Sequence, residues 1–158
     1  MIIPIKNLAR FDLSLLKRAS LAEGHHMIER LLEDWAAGDN RFDQPGECLF
    51  GFYEGELLAV AGVNRHQQPE LGEVGRIRRV FVHPDVRDQG VGTRLVKRVM
   101  QQAGNQFSVF TVNVGKRSAY GFYQNLGFMP AKNMQGVTHF LTLEAEQSYQ
   151  ETALAFEF

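Results

Sequence analysis

A strand that runs into a two-glycine loop and leaves it as an amphipathic helix constrains this chain more than any other feature. Ile77 to Val82 is β-branched and aromatic and stops at Pro84, whose ring removes a ladder donor and restricts the residue before it. Beyond the loop, Val91, Leu95, Val96, Val99 and Met100 recur at helical spacing and mark one buried face. Between them runs Val82-His83-Pro84-Asp85-Val86-Arg87-Asp88-Gln89-Gly90-Val91-Gly92-Thr93-Arg94-Leu95, with both glycines where loop becomes helix. Glycine lets backbone approach a ligand closely, and the first helical turn offers unpaired N–H groups at the positive end of the helix dipole. From Arg76 to Arg98, six arginines and one lysine stand against two aspartates, in a chain whose net charge is only -1. An anion site able to take a pyrophosphate is one expectation; a tight turn beside a solvated basic face is the other. The P-loop spacing is not met, and a dinucleotide fingerprint would need glycine where Leu95 stands.

The remaining segments supply a frame for that unit. The chain has 158 residues, 44% of them hydrophobic, which suits one globular domain and excludes wholesale disorder. Ile2, Ile3 and Ile5 around Pro4 read as an edge strand. Asp12 is the expected N-cap of a helix carrying Leu13, Leu15, Leu16 and Ala19, and Met27 to Trp35 forms a second helix ending near Gly38. Cys48 to Tyr53 and Leu57 to Val63 make a hairpin across Glu54-Gly55-Glu56. Phe107 to Val114 is a strand, Ser118 to Leu126 a helix closed by Gly127, and Phe128 onward with Thr138 to Leu143 a last hairpin. The order β-α-α-β-β-β-α-β-α-β-β implies an α/β or α+β fold, a central mixed sheet with helices on both faces. Residues 1–145 are expected to form the domain, with 146–158 a tail. Within it Ala153 to Phe158 is an extra strand, a fraying end or an intersubunit contact that would give a homodimer.

Composition excludes several functions. A single cysteine, Cys48, and no Cys/His cluster argue against disulfides and structural zinc, so a cytoplasmic setting and no metal are expected. No stretch approaches the roughly 18 apolar residues of a membrane span, and the near-neutral charge argues against nucleic acid as partner.

Two ordered motifs then identify the chain as resembling the GNAT superfamily of acetyl-CoA dependent N-acetyltransferases. Val82, Pro84, Arg87, Gly90, Gly92 and Leu95 meet its central motif without insertion, and Ala119, Phe122, Tyr123, Gly127 and Phe128 meet its second. The resemblance implies a GNAT-type twisted sheet whose strands splay at the cofactor site. It implies that Arg87 and the backbone from Asp88 through Gln89, Gly90, Val91 and Gly92 to Thr93 hold the coenzyme A pyrophosphate. Main-chain groups of Phe81 and Val82 would pair with the pantetheine arm, and Asn113 would lie near it. Lys116 stands where the family often has Asn, which exchanges an amide contact for one to the cofactor's phosphates.

The implied reaction moves acetyl from acetyl-CoA to a primary amine, a small molecule in preference to a protein amino terminus, by direct attack through a tetrahedral intermediate. An amine of pKa about 10 is roughly one part in a thousand neutral at pH 7, a handicap of about 4 kcal/mol, so a proton must be removed. The family's glutamate base falls at Arg76 in this chain. Glu73 is the substitute candidate, with His25 and His26 behind it. Tyr123 matches the family's acid, which returns a proton to the departing thiolate, and Tyr120 competes for the role. Glu29, Glu33 and Asp34 are read as a solvated helix face, with attraction of a cationic amine as the alternative. Because Arg76 replaces the acid, a non-catalytic sensor of coenzyme A or its acyl esters is the rival reading.

Overall fold

The structure, a computed structural model, describes residues 1–143. The expected extra strand at 153–158 lies outside them. Strand β1 (Ile2–Pro4) leads to helices α1 (Ser14–Ala22) and α2 (Met27–Ala37). Strands β2 (Cys48–Tyr53), β3 (Leu57–Gln68) and β4 (Gly72–Val82) follow as an antiparallel meander. Then come α3 (Val91–Ala103), β5 (Val109–Val112), α4 (Tyr120–Asn125), β6 (Met129–Pro130) and β7 (His139–Thr142). The described residues form one mixed sheet in the order β1-β2-β3-β4-β5-β7-β6, in which only β4 and β5 run parallel.

The sheet is buried on both faces, as a layered α/β arrangement requires. On one face α3 sets Leu95, Val96 and Val99 against Ile77 and Phe110. On the other, α1 and α2 set Leu16, Ile28 and Leu31 against Val60 and Phe81. Burying a side chain of this kind contributes about 1.5–3 kcal/mol, so these two clusters fix the helices on β4 from opposite sides.

Two features of β4 decide what the fold can do. It pairs with β5 only at Gly75↔Phe110 and Arg76↔Thr111, yet stays on β3 as far as Ala59↔Val82. From Ile77 to Val82 its other edge therefore has no strand partner among the described residues. The β3 register also shifts: Val60 faces Phe81 and Gly62 faces Arg78, so Ala61 opposes both Arg79 and Val80. Arg79 has φ 58°, a left-handed conformation uncommon outside glycine. This is a β-bulge, and bulges bend the strand that carries them and re-aim its side chains.

Local details differ from the sequence expectations. Helix α1 starts at Ser14 with Leu13 at the cap, while Asp12 accepts hydrogen bonds from the Ser14 N–H at 2.9 Å and Oγ at 2.6 Å. Asp12 thus satisfies the start of the helix from one residue further out. Strands β3 and β4 run past Val63 and begin before Ile77, because Arg65, His66 and Gln67 pair with Gly75, Val74 and Glu73 in a hairpin whose polar, exposed β3 side chains mask its strand character. The helix expected from Ser118 begins as a 3-10 turn, Arg117–Ala119, and becomes α only at Tyr120.

Candidate active site

A cleft of about 680 Å³ opens where β4 leaves β5. Residues 76–81 form its floor, 112–116 from the end of β5 onward one wall, and Glu23 and His25 of the α1–α2 connection with Met27 at the start of α2 the other; Tyr123 reaches it from α4. The strand ends are held open by the bulge on one side and by the β5–β7 pairing, Val112↔His139, on the other.

The loop after β4 meets the cleft at Arg87, while Val82 and residues 88–93 lie outside its lining. Gly90 caps α3 with φ 78°, and beyond its chain neighbours a Cβ built there meets no atom of the described residues within 4 Å. Asp88, also left-handed at φ 60°, precedes it; Asp and Asn tolerate this region better than most residues. The first rung of α3 is the Arg94 N–H to the Gly90 carbonyl at 3.0 Å, so the amides of Val91, Gly92 and Thr93 have no intrahelical carbonyl to bond. Val91 itself sends its side chain into the core. At Gly92 a Cβ would come within 3.2 Å of the Phe122 ring, so this glycine lets α3 pack closely on α4. The Gln89 side-chain amide donates to the Asp85 carbonyl at 3.4 Å.

Arg87 lies where loop meets cleft, and it is already engaged. Its two terminal nitrogens donate to both Glu23 oxygens and its Nε donates to the Val82 carbonyl at 2.9 Å, with the guanidinium over the Phe81 ring. That pairing holds the Glu23 carboxyl below its ordinary range, chiefly through the hydrogen bonds. Glu23 was not legible as a site residue, since nothing around it in the sequence points to a partner 64 positions away.

The other expected residues divide. Tyr123, only 7% exposed, lines the cleft between the rings of Phe122 and Phe128, and burial raises its pKa. Phe81, Asn113, Lys116 and His25 line the cleft as well. Glu73 does not. It sits near the start of β4, three residues before Arg76 and roughly 10 Å from it by strand rise, and pairs with Arg65 at 2.8 Å on the exposed hairpin. The substitute base inferred from sequence is therefore placed outside the cleft. His26 bonds Glu29 at 3.1 Å on the α2 surface, and Tyr120 packs edge-on against His139. Of the acids on α2, Asp34 pairs with Arg79, and none lines the cleft. Burial pushes the Cys48 thiol up to about 12, which leaves it inert.

Among the described residues, no group of His, Cys, Asp and Glu side chains is placed to hold a metal ion, and no helix is long and apolar enough to cross a membrane.

Comparison with known proteins agrees with this geometry. The model of the acetyltransferase (GNAT) family matches residues 12–128. An uncharacterized N-acetyltransferase of Methanocaldococcus jannaschii is 34% identical over 70 residues, a match spanning 42% of this chain and 31% of that protein. A crystal structure from Exiguobacterium sp. 255-15, assigned as an acetyltransferase, superposes with a TM-score of 0.79 at 26% identity, covering 96% of this chain and 97% of that one. The same fold appears, at 16% identity and a TM-score of 0.62, in a Clostridium acetobutylicum acetyltransferase solved with acetyl-CoA; 87% of this chain and 96% of that one are covered.

Proposed function

Because the chain belongs to the GNAT acetyltransferase family, with acetyl-CoA as cosubstrate, we propose that it acetylates a primary amine, which attacks the thioester directly without a covalent enzyme intermediate. The observation that carries this reading is the β4 edge from Ile77 to Val82. It lacks a strand partner among the described residues, ends at the Gly90 loop and has Tyr123 beside it.

The residues present fit the cosubstrate. An extended arm carrying amides can add to a free strand edge as a further strand would, so the main chain at Val82, which faces away from β3, takes the pantetheine, with Phe81 beside it. The Val82 carbonyl keeps one lone pair for this beside its bond to Arg87. The first-turn amides of Val91, Gly92 and Thr93, with Gly90 leaving room above them, take the diphosphate. Acetyl-CoA supplies there a thioester carbonyl open to nucleophilic attack. Lys116 and Asn113 offer further polar contacts from the opposite wall.

Tyr123 holds a proton at its hydroxyl and passes it to the departing sulfur. Its raised pKa keeps it protonated at neutral pH, and the same poorly solvated surroundings make a thiolate more basic, so donation stays feasible. His25 is the cleft group able to accept the amine's proton, directly or through water. Glu23 is unsuited to that task, since its pairing with Arg87 lowers its basicity.

Free-thiol release from acetyl-CoA with a panel of primary amines tests the reading. Amine-dependent release is expected; cofactor binding with no release on any amine would instead favour the sensor.

A further inference from the structure

We infer that the acceptor amine carries an anionic group, a carboxylate or phosphate, gripped by Arg76 and Arg78 of β4 together with Arg30 of α2. The inference rests on the acetyltransferase reading and names the substrate class of the same cleft.

Four arginines line the cleft from these two elements: Arg30, Arg76, Arg78 and Arg79. Alternation along β4 puts Arg76 and Arg78 on one face, the face that α2 covers. The bulge adds Arg79 to them: its left-handed backbone turns the side chain toward Asp34 of α2, 3.5 Å away. A regular strand would have sent the residue after Arg78 to the opposite face, into the α3 core. The adjacent cations Arg78 and Arg79 on one side of β4, with Arg76 two residues before them, are thus a product of the bulge.

The charge there is only partly balanced by the described residues: Asp34 and Glu47 act on Arg78 from a distance, and neither forms an ion pair with it. Asp34 partners Arg79, and Glu23, the one carboxylate lining the cleft, is held by Arg87. Arg30, Arg76 and Arg78 have no carboxylate within ion-pair distance among the described residues. Arg76 and Arg78 are half-buried, where solvent compensates a charge poorly, and burial with the neighbouring Arg76 lowers the pKa of Arg78. Half-buried guanidinium groups crowded together favour a ligand anion, for which they offer paired donors. The cofactor's own diphosphate does not meet this need. The loop that takes it starts beyond Val82, and four to six residues of strand put Arg78 and Arg76 roughly 13–20 Å from there. A dicationic acceptor, conversely, would be repelled.

The test uses acceptor pairs differing only in the anionic group: phosphoethanolamine against ethanolamine, and β-alanine against its amide, with putrescine as the dication. Binding to the protein–coenzyme A complex is measured by calorimetry, and kcat/KM by thiol release. The anionic member is expected to win by about tenfold or more in both. Arg76→Gln and Arg78→Gln should each shrink that preference, and Arg78→Lys should keep part of it; acetyl-CoA titration of each variant reports whether the cleft is folded. Ethanolamine or putrescine performing as well as the anionic amines, or folded Gln variants that keep the preference, would overturn the inference while the acetyltransferase reading stands. A wild-type protein that binds no acetyl-CoA overturns both.

Discussion

Arg87 grips both carboxylate oxygens of Glu23, at 2.5 and 2.6 Å, and so ties the loop that follows β4 to the C-terminal end of α1. With its Nε on Val82 and its plane over Phe81, the guanidinium is fixed at the junction of loop and cleft. On the proposed reading, a diphosphate arriving at that junction would compete with Glu23 for the same donors.

Glu23→Gln should therefore tighten acetyl-CoA binding. Exposed ion pairs contribute about 0–1 kcal/mol, so the dissociation constant should fall by up to about fivefold. Arg87→Ala should move it the other way. Calorimetry on both variants checks this, and weaker binding by Glu23→Gln would show that Glu23 positions Arg87 for the phosphates rather than withholding it.

Tyr123→Phe keeps the rings of Phe122 and Phe128 packed and removes only the hydroxyl. The expected result is a fall in kcat of about a hundredfold with acetyl-CoA affinity nearly unchanged, the range typical of a lost general acid. An unaltered kcat would remove Tyr123 from the acid role.

Gly90→Val places a β-branched residue at φ 78°, strained by about 1–2 kcal/mol, and puts its Cβ where, beyond the chain neighbours, no atom of the described residues lies within 4 Å. Because that side is the one assigned to the phosphates, acetyl-CoA affinity should drop about tenfold or more. An affinity equal to wild type, measured on folded protein, would contradict the loop assignment.

His139 gives the fold an acid-sensitive point. It is 1% exposed, its Nε2 is buried without a hydrogen-bond partner among the described residues, and burial lowers its pKa from 6.5. The unfolded chain then binds more protons than the folded one below that value, so stability is full above pH 6.5 and lost as pH falls toward the folded pKa. Thermal unfolding from pH 7.5 to 5 should show this decline, and His139→Gln should flatten it. Parallel curves for the two proteins would assign the acid sensitivity elsewhere.

The sequence made the local units readable and the long-range ones opaque. Val82 to Leu95 declares strand, loop and helix because proline, glycine and helical spacing act within a few residues, and Glu54-Gly55-Glu56 declares the β2–β3 turn for the same reason. The bulge escaped notice because Arg79 has no turn chemistry of its own; its left-handed backbone is imposed by pairing with β3. Glu73 misled because it was placed by distance along the chain, whereas β4 had already begun at Gly72 and carried it away from the cleft. The Glu23–Arg87 pair and the shared face of Arg30 and Arg78 depend on α1 and α2 packing over β4, which no local pattern encodes.

Amide chemical-shift mapping during titration with coenzyme A addresses the central claim most directly. Changes concentrated at residues 77–82 and 87–93 are the result this account requires. Saturable binding whose shifts fall elsewhere, or no binding to folded protein, would contradict it.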